Sequence, residues 1–308
     1  MKGNTRFEKR QLVHIYQNTL NGFLLFYSVR DRIVFFTLLN LVAKKYGIHI
    51  VGVCLMPDHF HLLIELVSLE IQSAFIAEVT QRYSRLRNEW YGDRGDLFSH
   101  SYGYALKQGG KKMRTAAAYL YNNPVEKALC GKAEEYPWNF LAYAKSSYPF
   151  STPIKLRYAS RSVRRAVEYV KYAHQAGIPM TYQSLDSLIK KMRPEEVKML
   201  TDYIIQTYNT IDYDSIIGLY KGYQEMLQAF ASNTGSEYDI KETFTKGSDK
   251  AYTLCANRLL RSGKWKDIRE ILSLPEYRRR LIGEGLSLKP DISSRQAAKF
   301  LRYKEIPE

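Results

Sequence analysis

The sequence predicts an α+β protein, with a small antiparallel sheet and its helices in the first half and an all-helical second half. Three observations carry this. As far as residue 145 the apolar pattern switches between a period of two and a period near 3.6, in the order βαββαβα. After residue 148 strand-like alternation stops, and helical spacing punctuated by Pro179, Pro194, Pro275 and Pro290 takes over. The 308 residues are 45% hydrophobic and 25% charged, a balance that supplies enough apolar surface to offset chain entropy.

Each element follows from its residues. Segments 12–19 and 23–29 are short, β-branched and aromatic with Asn21-Gly22 between them, and read as two strands or as a strand and an extended arm. Asp31 is placed to cap a helix over 32–46, where Val34, Phe35, Leu38, Leu39 and Val42 share one face and Gly47 supplies the left-handed stop. Segment 48–56 reads as a buried strand. After Pro57-Asp58, strand 59–67 puts His59, His61, Leu63 and Glu65 on one face, and Phe60, Leu62, Ile64 and Leu66 on the other. Phe75, Val79, Tyr83, Leu86 and Trp90 mark a second amphipathic helix that ends at Gly92-Asp93-Arg94-Gly95. Segment 102–108 reads as a further strand. Residues 116–121 are helical by propensity, Asn122-Asn123-Pro124 interrupts them, and 125–130 resumes. The expected layout has the helices packed on one face of the sheet, with a first domain over 1–147 and a basic helical domain over 148–308. In the latter, helices are expected over 163–176, 194–208, 215–231, 249–261, 266–274 and 293–303.

Charge and composition narrow the function. The 46 Lys and Arg against 31 Asp and Glu leave +15, a field that draws polyanions and makes nucleic acid the leading partner class. Cys54, Cys130 and Cys255 are odd in number and widely spaced, which argues against a disulfide framework or a thiolate zinc site and fits a reducing compartment. No apolar run reaches the ~20 residues that cross a bilayer, and the polar, basic stretch 1–10 precedes no apolar core. The expectation is a cytoplasmic protein with no membrane partner.

The sharpest local feature is Met56-Pro57-Asp58-His59-Phe60-His61. Strand side chains repeat every second residue, so both imidazoles point the same way and are placed to ligate one metal, while Phe60 enters the core. The bland alternative is a pair of histidines on a polar sheet face. The second feature is Tyr119-Leu120-Tyr121-Asn122-Asn123-Pro124. If helix continues through it, Tyr119 and Asn123 lie four residues apart on one face, able to approach the same metal-bound phosphate. Alternatively, Asn123 before Pro124 is a helix cap.

These strings resemble a known family. Pro57-Asp58-His59-Phe60-His61-Leu62-Leu63 is similar to the HUH motif of single-tyrosine transposases, and Tyr119-Leu120-Tyr121-Asn122-Asn123-Pro124-Val125 to their tyrosine-helix motif, above all in REP-associated tyrosine transposases. Arg30-Asp31-Arg32, Gly95-Asp96-Leu97-Phe98 and Tyr136-Pro137-Trp138-Asn139-Phe140 fall in the family's order, so the resemblance spans roughly residues 10–145. It implies a ferredoxin-like HUH nuclease fold, His59, His61 and Asn123 around a divalent Mg²⁺ or Mn²⁺, and Tyr119 as nucleophile. The implied activity is single-strand DNA nicking and strand transfer through a 5′-phosphotyrosine, on hairpin-bearing DNA, by a homodimer. Two other readings stand beside it: a non-catalytic DNA-binding or regulatory relative, and an HUH relaxase or replication initiator.

Glu65 shares the histidine face, and a surface ion pair at the sheet rim is the favoured role for it. Arg82, Arg85 and Arg87, interleaved with aromatics, are candidate DNA contacts, as are Lys107, Lys111, Lys112 and Arg114 ahead of the tyrosine segment. Near the end, Arg278-Arg279-Arg280 precedes 292–301, which resembles the second helix of a helix-turn-helix with paired alanines at a helix crossing; because the sequence runs out at Glu308, an incomplete motif is expected.

Overall fold

A computed structural model describes residues 11–232 and 248–304; the stretch 1–10 lies outside them. The fold is α+β. Among the described residues, four strands form one antiparallel sheet in the order β2-β3-β1-β4: β1 (Gln11–Asn18), β2 (Ile50–Leu55), β3 (His59–Glu65) and β4 (Gly103–Gln108). Because β1 sits between β3 and β4, its odd and even residues alternate between the same two sheet faces as theirs. In register, Tyr16 lies opposite His61 and Gly103.

One face buries Val13, Ile15, Phe60, Leu62 and Ile64 under α1 (Val29–Tyr46) and α2 (Leu69–Tyr91). The other buries Leu12, Leu63, Val51 and Cys54 under α3 (Gly110–Glu126). This corrects the expected single helical layer. Helices cover both faces, and α3 lies over the histidine face, since every residue of β2 is buried and so needs cover on both sides.

Three local expectations also change. Residues 23–28 form no strand; Leu25 and Phe26 donate their N–H groups to Pro57 O at 2.8 and 2.9 Å, so the segment docks on the turn before β3. The cap of α1 is Ser28, with Asp31 at the third helical position accepting from the Ser28 backbone in a capping box. Helix α3 runs unbroken through Pro124. Burial of the whole 116–124 stretch against β2 and β3 outweighs the ~3 kcal/mol helix penalty of an interior proline, so Asn123 is not a cap.

The later helices are α4 (Arg161–Gln175), α5 (Tyr182–Ile189), α6 (Pro194–Tyr208), α7 (Tyr213–Ile217), α8 (Tyr223–Ser232), α9 (Lys250–Arg261), α10 (Ile268–Leu272), α11 (Glu276–Ser287) and α12 (Ser294–Leu301). The single helix expected over 215–231 is two, α7 and α8, because Gly218 ends the first and Gly222 takes a φ of 154°. Helices α5 and α11 went unread in the sequence. Helices α4 to α6 share the α1 core through Ala166, Val170, Leu200 and Ile204. Met226 and Phe230 of α8 join the α3 core. Helices α9 to α12 enclose a third core, into which the first half sends Leu24 and Tyr91. Apolar packing therefore runs across residue 148.

Two arginines of the triplet are spent on this packing, while Arg278 is exposed. Arg279 Nη1 donates to Leu301 O and to Arg302 O at 2.6 Å, closing the end of α12, and Arg280 Nη2 donates to Lys304 O at 3.0 Å. Ala297 and Ala298 are buried at the α11–α12 crossing.

Candidate active site

The pleat decides which side chains meet. Even-numbered residues of β1 and odd-numbered residues of β3 share the α3 face, so His14, Tyr16, His59 and His61 lie together. Helical spacing then aims Tyr119 and Asn123 of α3 at the same spot. His59 Nε2 stands 2.9 Å from His61 Nε2, and Asn123 Nδ2 3.0 Å from the same His61 nitrogen. The Tyr119 ring meets His61 and His14 edge-on, with centroids 5.5 and 5.6 Å away. Tyr121, two residues along, points elsewhere: it stacks on Phe230 in the second core, and burial holds its phenol well above the usual range.

The ring nitrogens have assigned partners on their outer sides. His59 Nδ1 lies 2.6 Å from Asp58 Oδ1, and the other oxygen of Asp58 is paired with Lys299 of α12. Burial would raise the Asp58 pKa, but the charges and hydrogen bonds of His59 and Lys299 hold it well below the carboxylate range. His61 Nδ1 lies 3.1 Å from His14 Nε2, the two rings stacked. Burial, then the charges of Lys107 and His59, push His14 down to about 3; burial likewise keeps His61 far below its ordinary value. Both are neutral imidazoles. His59 Nε2 and His61 Nε2 face each other across 2.9 Å, close enough to share one proton or to bind one cation.

A divalent cation fits this set. Ligand atoms ~2.1 Å from a metal and at right angles are ~3.0 Å apart, the spacing found between His61 Nε2 and its two neighbours. Asn123 Oδ1 is buried and has no hydrogen-bond partner among the described residues, so turning the amide presents an oxygen to the cation without breaking another bond. Among the described residues no three His, Cys, Asp or Glu side chains form a metal cluster, and Asn123 places an amide beside the two imidazoles. Two imidazoles with one amide oxygen leave coordination positions for phosphate oxygens and suit Mn²⁺ better than Mg²⁺.

Supporting segments fix this geometry. Tyr136 donates to Leu55 O at 2.8 Å, bracing the end of β2, and Asn139 bonds Ala133 O at 2.7 Å beneath α3. Phe140 stacks on Phe36 of α1 at 4.2 Å. Asp31 is buried, receiving Tyr182 Oη at 2.8 Å and Tyr91 Oη at 3.1 Å. The site opens on a cleft of about 1340 Å³ lined by Tyr16, His59, Tyr119 and Asn123 on one side and by Asp249, Tyr252 and Lys299 on the other.

The remaining sequence candidates separate. Arg87 is corrected: its side chain is 2% exposed and holds Leu24 O, Leu25 O and Asp93, so it braces the 24–25 turn and is closed to DNA. Arg82 pairs with Glu78 at 3.1 Å, and both it and exposed Arg85 sit on α2, across the sheet from Tyr119. Lys107 lies opposite Leu12 on the histidine face. Lys111, Lys112 and Arg114 are exposed at the start of α3; Lys112, seven residues before Tyr119, falls on nearly the same helical stripe. Glu65 stands opposite Leu12, four residues or ~13 Å along β3 from His61, away from the candidate ligands. Sequence reasoning missed His14, Tyr16 and Lys299. The alternation of Leu12, His14 and Tyr16 is visible in β1, but nothing local shows that β1 pairs with β3.

Comparison with known proteins bears on this site. Residues 25–123 match the family model described as transposase, IS200 like. The solved structure of a REP-associated tyrosine transposase bound to a REP hairpin is similar at 14% identity, over 45% of this chain and 81% of that one, with a TM-score of 0.36. No curated protein matches the chain.

Proposed function

From the match of residues 25–123 to the IS200-like transposase family model, we propose that this protein is a metal-dependent endonuclease and strand-transferase of that family, acting on hairpin-bearing single-stranded DNA through Tyr119. The observation that carries the reading is the convergence of His59, His61 and Asn123 at 2.9–3.0 Å beneath the ring of Tyr119. A cation held there, Mg²⁺ or Mn²⁺, supplies charge neutralisation and orientation of the scissile phosphate.

The chain's own residues do the rest. Asp58 holds His59 by its Nδ1, and His14 holds His61 by its Nδ1, which leaves the two Nε2 atoms facing each other. Tyr119, fixed by the stacked imidazoles, loses its proton and attacks phosphorus. A bond from Tyr119 Oη to phosphorus forms, the bond to the 3′ oxygen breaks, and that oxygen leaves as a 3′-hydroxyl after taking up a proton. The 5′-phosphotyrosine conserves the bond energy, so a 3′-hydroxyl rejoins the strand without a nucleotide cofactor. Lys127 and Lys299 beside the cleft, with Lys107, Lys111, Lys112 and Arg114 along the approach, offset phosphate charge. Edge strand β4 exposes Tyr104 and Leu106, 52% and 45% accessible, which supports pairing of two copies into a homodimer.

One observation favours the competing reading, a DNA-binding relative without catalysis: Tyr119 is only 1% exposed. Incubating the protein with Mn²⁺ and hairpin-bearing single strands separates the two. Covalent protein–DNA adduct on a denaturing gel supports the nuclease; tight binding without adduct supports the binder. No helix among the described residues is long and apolar enough to cross a membrane.

A further inference from the structure

The unit formed by α9 to α12 does more than wall the cleft. It touches the site at two points, on the two elements whose relative position sets the ligand geometry. On the strand side, Lys299 of α12 pairs with the Asp58 oxygen opposite the one that meets His59 Nδ1. On the helix side, Asp249 N, at the start of α9, donates to Lys127 O at 3.0 Å, just past the end of α3 and four residues beyond Asn123. Gln296 Nε2 of α12 donates to Ser248 O at 2.8 Å, tying the two contacts together. The unit is anchored to the first half by its own polar seam. Tyr27 Oη donates to Phe300 O at 2.9 Å, Arg302 Nε to Tyr27 Oη at 3.0 Å, and Arg302 also pairs with Asp93.

We infer that Lys299 is a positioning residue, which orients His59 through Asp58 and so makes docking of the carboxy-terminal helical unit part of building the metal site. A carboxylate that meets a ligand histidine has two free torsions, and its second oxygen must be held for the first to stay in plane with the imidazole. Here Lys299 does the holding. Its side chain is 26% exposed, that of Asp58 20% and that of His59 15%, so the chain of contacts is partly shielded from water and worth more than a surface ion pair. Tyr252 of α9 lies beside the ammonium, 5.9 Å from ring centroid to Nζ, and fixes its approach.

The inference rests on the reading of His59 as a cation ligand, so the test has one readout with metal and one without. In Lys299→Met the apolar stem stays and the charge is lost; in Lys299→Arg the charge is kept. Thermal melting confirms that each variant folds. In long-range ¹H–¹⁵N spectra of histidine-labelled, metal-free protein, wild type and Lys299→Arg are expected to show a downfield, slowly exchanging His59 Nδ1 proton. In Lys299→Met that proton should move upfield and exchange at least about tenfold faster. Mn²⁺ affinity by titration calorimetry should fall about tenfold in Lys299→Met and recover in Lys299→Arg. A folded Lys299→Met protein with the wild-type His59 proton signal overturns the inference. Wild-type protein that binds no Mn²⁺, while its His59 signal still depends on Lys299, supports the inference and overturns the metal reading instead.

Discussion

The two faces of one four-stranded sheet show how far alternate residues of a strand diverge in task. On the α1 side, Val13, Ile15, Phe60, Leu62 and Ile64 pack in one apolar cluster, and their contribution is burial. On the α3 side, His14 and His61 are equally enclosed, yet they meet through ring nitrogens, and His61 Nε2 has His59 and Asn123 beside it. Desolvation acts on both faces. On the first it stabilises, at ~25 cal/mol per Å² of apolar surface. On the second it keeps imidazoles neutral and therefore able to bind a cation. The apolar face fixes the register that places the polar one.

Substitutions that respect this division are the sharpest way to test it. The largest effect is expected from Tyr119→Phe, which should lower adduct formation by a factor on the order of 10⁴ or more with an unchanged melting curve; Tyr121→Phe, buried against Phe230, should leave the adduct intact. Phe60→Ala, one residue from either histidine but on the other face, should cost about 3–5 kcal/mol of unfolding free energy in denaturant titration. If Phe60→Ala instead removed activity without loss of stability, the separation of tasks would be broken.

Smaller changes probe the polar face alone. A Cβ built on Gly103 would fall 2.0 Å from the Tyr16 ring, which lies across that glycine. Gly103→Ala should cost about 1–3 kcal/mol and shift Tyr16 out of the cleft, raising the dissociation constant for single-stranded DNA in filter binding. His14→Phe leaves His61 Nδ1 without its partner, and a cost of about 1–3 kcal/mol is expected together with weaker Mn²⁺ binding. The smallest effect belongs to Lys112→Ala: the slope of log affinity against log salt should fall by about one, with activity at saturating DNA unchanged. The same change at Arg82, on the opposite side of the sheet, should leave the slope alone.

Much of this was legible in residues alone, and what was not has physical causes. His59 and His61 were readable because period-two alternation is local, and Tyr119 and Asn123 because four residues make one helical turn. The uninterrupted course of α3 through Pro124 was not, since proline's local penalty is overcome only by burial that depends on the sheet beneath it. Arg87 reads as a basic residue in a basic helix; that its guanidinium is committed to Leu24 O and Leu25 O emerges from a contact across more than sixty positions. His14 and Lys299 reach the site through pairings 47 and 241 residues apart, and no pattern within a strand or helix encodes such partners.

The central claim, that one phenol of α3 and two imidazoles of β3 serve a single reaction centre, is tested most directly by finding the tyrosine that carries DNA. Protein incubated with Mn²⁺ and hairpin-bearing single strands is denatured, digested with protease and nuclease, and the modified peptide is sequenced by mass spectrometry. The account predicts a nucleotide remnant on Tyr119 in wild type, and none in His61→Ala. A remnant on Tyr121 or on any other tyrosine, or one on Tyr119 that survives His61→Ala undiminished, would contradict it.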